Sequence, residues 1–414
     1  CFVTNDFSVK YVAEHSSRAM DAQYVWVAFY AGNEGSLLFI ALALSVLSAI
    51  AIYTSPKTMD PSLPHTNLAL MAISIFFVGV MVLLANPFEK LTFTPADGQG
   101  INPLLTHPGM FIHPPMLMTG LISFSIPFSF AMGALISGKT GDEWVEVGRV
   151  WGILGWATLG SGLLLGAWWA YTILGWGGYW GWDPVENSAI LPLLPMTAFV
   201  HSLIVQERRG LLKLWNLALV FSAFALAVFG TFNVRSGLVA SVRSFAISDV
   251  GPYFLVLLGL TLFGSITLLA WRSGKLGTEH DFDSLISRES SLIINNYLFT
   301  VIALIILGGT LFPVFSELLQ DARITVSAPF YNDVVGPLLL ALLLLMTLGT
   351  VLPWRHAANV TLRRRFRAPL VISIFSGVVL VGLGMRDSYA LAGTVAAIAL
   401  LYVTLREFAL GARA

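Results

Sequence analysis

Apolar stretches of membrane-spanning length recur along the chain, at about residues 35–54, 67–86, 112–137, 149–174, 189–206, 214–234, 251–271, 292–313, 332–353, 369–385 and 388–406. Each approaches the roughly 20 residues that an α-helix needs to cross a bilayer core. Short polar or proline-containing segments separate them. The pattern predicts an all-α, polytopic transmembrane helix bundle of about eleven helices. Periodicity does not separate core from lipid faces in helices this uniformly apolar. The last two runs nearly fuse, and their division is placed at Arg386-Asp387-Ser388. Residues 1–34, mixed in polarity, read as an outer or interfacial segment, 35–406 as the bundle, and 407–414 as a short cytoplasmic tail.

Composition agrees. Hydrophobic residues make up 56% and charged residues 11%, with a mean hydropathy of +0.78, whereas a soluble domain carries about 25% charge. Net charge is zero, so neither nucleic acid nor an acidic soluble partner is indicated. The one cysteine, Cys1, excludes an internal disulfide and a C-x-x-C redox pair. A phosphate-cradling loop of the G-x-x-x-x-G-K-[ST] type is absent, which argues against an ATPase subunit. No signal peptide is visible and the chain starts at Cys rather than Met, so a processed start or a piece of a longer chain is expected. Of 23 Lys and Arg residues, 16 fall in one alternating set of inter-helix segments and seven in the other. The positive-inside rule puts the 16-charge side in the cytoplasm, the start outside and the end inside.

The stretch Trp176-Gly177-Gly178-Tyr179-Trp180-Gly181-Trp182-Asp183-Pro184-Val185-Glu186-Asn187 then faces outward, free of Lys and Arg. Trp and Tyr also collect at membrane interfaces for their own sake. The interspersed glycines favour a second reading, because they remove bulk and permit unusual backbone angles, so that flat rings can be presented together to a large apolar ligand. Asp183, Pro184 and Glu186 stand where the N-cap, N1 and N3 of a capping box belong. Those residues are expected mainly to start the next helix while Trp176, Trp180 and Trp182 serve the ligand.

The histidines divide by topology. His65, His280 and His356 fall in cytoplasmic loops and are assigned no role. His113 precedes Pro114-Pro115 at the outer start of a helix, where a proline pair costs no helical hydrogen bond, and is the first candidate for a haem-iron ligand. His107, in the Asn102-Pro103 loop, is a weaker one. His201 lies inside a span, where an ionisable group is costly and marks a functional site by default. The alternative is that Ser202 or a backbone carbonyl satisfies it. Because it follows Asp183 by 18 residues, or about 27 Å of helix, it cannot ligate a haem that stacks on the tryptophans. Arg235 and Arg243, in the outer loop region after residue 234, can clamp haem propionates or simply meet lipid phosphates.

These segments together resemble the CcmF family of haem lyases, which act in bacterial system I cytochrome c maturation and belong to a haem-handling superfamily with a tryptophan-rich outer loop ending in Trp-Asp (a WWD loop, here within 175–188). The resemblance rests on Thr4-Asn5-Asp6-Phe7-Ser8-Val9-Lys10-Tyr11-Val12, Asn33-Glu34-Gly35-Ser36-Leu37-Leu38, Asn102-Pro103-Leu104-Leu105, His113-Pro114-Pro115, Trp182-Asp183-Pro184-Val185-Glu186-Asn187 and Leu352-Pro353-Trp354-Arg355, in that order. It implies a multi-pass protein of the cytoplasmic (inner) membrane that attaches haem to the two thiols of a C-x-x-C-H motif in apocytochrome c. It also implies haem as substrate at the outer face, handled by Trp176, Trp180, Trp182 and Asp183 with His113 on iron. A resident transmembrane haem b, held in part by His201, is implied as an electron carrier to the incoming iron. The implied partners are holo-CcmE as haem carrier and CcmH/CcmI-type chaperones that present apocytochrome c, within membrane lipid.

Two departures stand out. Where the family has its second outer histidine, this chain has Arg243, which stays protonated and cannot bind iron. Unless His107 or His15 substitutes, two-histidine coordination is lost, and Arg243 is left to bind a propionate. The helix bearing the second haem b histidine, and helices preceding Cys1, are expected beyond this chain. Two other functions remain in view: a haem transporter or carrier-loading subunit of the same superfamily, and an ion-coupled transporter. The second needs several buried carboxylates or lysines along a path, which the spans lack.

Overall fold

The computed structural model describes residues 1–141, 143–175, 177–239, 249–276, 287–353 and 359–412, without the side chains of 209, 275 and 359–364. Among the described residues there are eleven helical spans of membrane-crossing length and composition, as expected, and the sole β-pairing is an isolated bridge between Val9 and Lys90. Short α1 (Lys10–His15) and α2 (Val25–Ala31) precede the spanning α3 (Asn33–Tyr53) and α4 (Leu63–Leu83). The third span is broken into α5 (His113–Ser123) and α6 (Ser125–Ser137), and α7 (Glu143–Ile173) follows. Another broken span comprises α8 (Pro184–Ile190) and α9 (Leu193–Arg209). The remaining spans are α10 (Lys213–Ser236), α11 (Gly251–Arg272), α12 (Arg288–Gln320), α13 (Ala328–Val351), α14 (Asn359–Gly382) and α15 (Ser388–Gly411).

Proline explains both breaks. Pro127 and Pro195 have no N–H, and their rings collide with the carbonyl four residues back, which falls at Ser123 and at Leu191, the two junctions. Ser123 Oγ donates to Gly120 O (2.7 Å) and Ser125 Oγ to Ile122 O (2.6 Å), so carbonyls beside the first break stay satisfied inside the bundle. The division before α15 falls where expected: Asp387 is its N-cap and accepts from Ala390 N at 2.7 Å. α15 runs on to Gly411, past the expected end at 406, because a helix that leaves the apolar layer keeps its own backbone bonds.

Contacts across the loops order the two ends of the bundle. At the end bearing the tryptophan loop, residues 1–31 fold against 86–105. Lys10 N donates to Glu89 O (2.9 Å), Leu91 N to Ser8 O (2.8 Å) and Gln99 N to Ala13 O (2.7 Å), while Arg18 N reaches Asp97 Oδ1 at 2.8 Å. At the opposite end, Arg149 pairs with Glu207 at 2.7 Å, and Arg272 donates to the carbonyls of Leu135 and Ile136, both at 3.0 Å. The segments grouped by charge counting therefore do share ends.

Glycine sets the tightest helix pair. Without a hydrophobic drive between helices in lipid, close backbone approach through small residues carries association. On α5 and α7, a Cβ on Gly120 would lie 2.5 Å from the backbone of Leu159, and one on Gly162 would lie 2.8 Å from Leu117 N. Phe124, Phe130 and Phe199 are fully buried in the interior. A Gly120→Ala protein is expected to lose about 1–3 kcal/mol through overpacking and melt earlier in detergent. Gly160→Ala, where a Cβ meets nothing within 4 Å, should melt no earlier than the wild type.

Candidate functional site

A cavity opens among α2, α3, α5, α7, α8 and α10 at the tryptophan-loop end. The room for water-molecule centres is about 230 Å³, and the whole space between its walls, counted out to the open side, is about 1530 Å³. Its deeper wall is apolar, with Ile40, Phe77, Leu117, Leu121, Phe224 and Val228. His113, Trp180 and Arg235 bring polar chemistry to the same cavity. Three residues singled out from three separate segments thus converge.

His113 begins α5, where Pro114 and Pro115 fix the first turn. Its Nδ1 lies 2.7 Å from Gly162 O. A carbonyl only accepts, so Nδ1 carries the proton and the lone pair stays on Nε2. This is the arrangement by which an outer carbonyl orients a metal-binding imidazole. The ring lies over Gly166, where any Cβ would collide with it, and near-parallel to Trp169 at 6.4 Å and 16°.

Arg235, in the last turn of α10, is 4% exposed. It donates to Asn33 Oδ1 and, at 3.0 Å, to Ser36 Oγ on α3. Among the described residues no carboxylate forms an ion pair with it. A buried cation without a close counter-charge is costly, so this wall suits a carboxylate brought by a ligand. Asn33 and Ser36 belonged to a segment noted for its resemblance, but nothing in their spacing announced that they would hold Arg235, 200 residues away.

The loop itself departs from expectation. Trp180 lines the cavity, and its Nε1 is buried without a partner among the described residues. Trp182 stands nearly perpendicular to it, at 5.9 Å and 88°, and Tyr179 stacks instead on Tyr171 at 4.4 Å and 9°. Gly177 at φ +70° and Trp182 at φ +55° turn the chain twice, so successive rings meet different neighbours. Trp180 and Trp182 therefore do not present one flat face, and of these two only Trp180 lines the cavity. The capping box is present as expected: Asp183 Oδ2 accepts from Val185 N (2.9 Å), and Glu186 Oε2 accepts from Asp183 N (3.2 Å) and Gly181 N (2.8 Å). Trp176 and Arg243 lie outside the described residues.

Neither His15 nor His107 lines this cavity. His15 donates Nδ1–H to Tyr11 O at 3.0 Å and packs on the Tyr11 ring. His107 caps a 3₁₀ turn, its Nδ1 accepting from Gly109 N at 3.0 Å, with Nε2 at 3.1 Å from Thr172 Oγ1. His201 lines a separate cavity of about 400 Å³, again counted for water centres, with Asn295, Arg208, Arg288 and Thr404 among its walls. The two cavities share no residue, in keeping with two stations. The His201 Nδ1 is buried and has no partner among the described residues, so neither Ser202 nor a carbonyl satisfies it.

Comparison with known proteins identifies the family. Residues 30–239, just over half of the chain, match the model for the cytochrome C assembly protein family. The chain belongs to that family. It is 40% identical over 360 residues to the cytochrome c-type biogenesis protein CcmF of Pseudomonas aeruginosa, covering 86% of this chain and 55% of that relative. It is 38% identical over 374 residues to the cytochrome c-type biogenesis protein ccl1 of Rhodobacter capsulatus, covering 90% and 57%. A solved structure described as cytochrome c haem lyase CcmF superposes with a TM-score of 0.76 at 30% identity, over 98% of this chain and 61% of that one. This member of the family therefore spans a little over half the length of the curated relatives it matches.

Desolvation holds the His107 pKa below its ordinary 6.5, and the neutral ring is the one that caps Gly109. Its contribution is complete above about pH 6.5 and is lost as pH falls from there through the lower folded value. The melting temperature is expected to drop as pH is lowered below about 6.5. The drop should be smaller in His107→Asn, whose side-chain oxygen keeps the cap without titrating.

Proposed function

We propose that this chain forms the haem-handling part of a cytochrome c haem lyase, with haem as substrate in the cavity lined by His113, Trp180 and Arg235. The observation that carries this reading is that an oriented imidazole, a buried guanidinium without an ion-pair partner and an indole share one largely apolar cavity. Haem offers the matching chemistry: iron for His113 Nε2, a propionate for Arg235, and an apolar ring for the walls and Trp180. In the reaction each cysteine thiol of the C-x-x-C-H motif adds across a vinyl group, sulfur and hydrogen going to its two carbons. The chain supplies position rather than a nucleophile, in keeping with its single cysteine, and positioning alone can be worth several kcal/mol. On the charge count the cavity end faces the outer side of the inner membrane, where a CcmE-type carrier would deliver haem and CcmH/CcmI-type partners would present apocytochrome c.

His201 is proposed as one ligand of a resident haem b. An imidazole beside a cavity, inside the bundle, with an unmet ring nitrogen fits a ligand role. Bound there, the group would supply an electron to the iron of the substrate haem. This chain's part is to hold the group through His201 and to keep it apart from the substrate cavity.

Two measurements test these roles. Titration of haemin into the detergent-solubilised protein should show binding weakened about tenfold or more in Trp180→Ala and in Arg235→Gln, the scale of a lost aromatic contact or charged hydrogen bond. Unchanged affinity in both, with unchanged melting temperatures, sinks the cavity reading. Separately, a reduced-minus-oxidised absorption spectrum of the purified protein should contain a b-type signal that disappears in His201→Ala. A signal that persists in the variant excludes His201 as a ligand.

A further inference from the structure

The tryptophan loop is held by residues far from it in sequence. Trp182 donates its Nε1–H to Asn332 Oδ1 at 2.9 Å and stacks on Tyr331 at 5.0 Å and 15°, both in the first turns of α13. Tyr331 is 1% exposed, and its phenol packs against Gly309 of α12. Asn187 of α8 donates to Trp182 O (3.2 Å) and Thr310 Oγ1 (3.1 Å). Gly309 leaves space for this junction, since a Cβ there would lie 2.6 Å from Tyr331 Oη. Trp182 itself holds φ +55°, which is costly for a bulky residue and persists only where the surroundings fix it.

None of Trp182, Tyr331 and Asn332 lines the haem cavity, but Trp180, edge-on against Trp182, does. We propose that Tyr331 and Asn332 are positioning residues: by clamping Trp182 onto α13 they keep the Trp180 ring at the cavity wall. The assignment rests on the haem reading given above. Its energetic logic is that a loop released from α13 spends only part of its time with Trp180 in place, and apparent affinity falls in proportion to that fraction. Helix α12, whose Gly309 abuts Tyr331, also lines the His201 cavity through Ser291 and Asn295.

The test is a double-mutant cycle read by haemin titration in a His201→Ala background, so that only the loop-end cavity reports. Asn332→Leu is expected to weaken binding about fivefold, the size of one net hydrogen bond. Asn332→Asp, which keeps the acceptor, should bind as the parent does. Tyr331→Phe keeps the stack and should bind more tightly than Tyr331→Leu. In a Trp180→Ala protein, Asn332→Leu should add little further loss, because the clamp acts through that ring. A full, additive fivefold loss there, or no loss from Asn332→Leu while Trp180→Ala still binds weakly, overturns the clamp and leaves the haem reading intact. Unchanged binding in Trp180→Ala overturns both.

Discussion

A polar atom placed in the apolar interior of a helix bundle has no water to turn to, and must find its partner within the protein or in a ligand. That constraint arranges most of what is seen here. Serine hydroxyls at the α5–α6 break satisfy carbonyls beside it, and Arg272 closes the end of α6 by taking two more. The amide of Asn233 on α10 meets Ser188 Oγ on α8 at 2.7 Å. Several polar atoms stay buried without a partner among the described residues, and two of them, both ring nitrogens, bear on the cavities. The Trp180 and His201 ring nitrogens are buried without partners among the described residues, and each residue borders a cavity.

Glycine packing and the proposed iron ligand meet at α5 and α7. The approach that Gly120 and Gly162 permit brings His113 against α7, where the Gly162 carbonyl accepts a hydrogen bond from its Nδ1–H. Absence of a side chain at Gly166 then leaves a place for the ring. The same small residues that hold two helices together in lipid thereby select the tautomer and orientation of an imidazole. A structural contact and a ligand's geometry are here one arrangement.

Much of the architecture was legible in the chain. Runs of apolar residues marked eleven spans because bilayer thickness imposes a minimum length, and arginine placement sorted the loops between two ends. The capping box at Asp183 and Glu186 could be read from spacing alone, since its hydrogen bonds join residues three apart. The separation of His201 from the tryptophan loop followed from helix rise. Less legible was the loop: glycines and rings in alternation suggested one platform, whereas among the loop's own described rings only Trp180 lines the cavity.

What local sequence determined, then, were the features that depend on neighbours along the chain: span length, helix starts and proline breaks. Tertiary structure decided which side chains share a space. Arg235 meets Asn33 from 202 positions away, and Trp182 meets Asn332 from 150. Such pairs carry no periodic or spacing signal, because in lipid the choice of neighbouring helix is settled by close packing and buried hydrogen bonds that form only once the bundle has assembled.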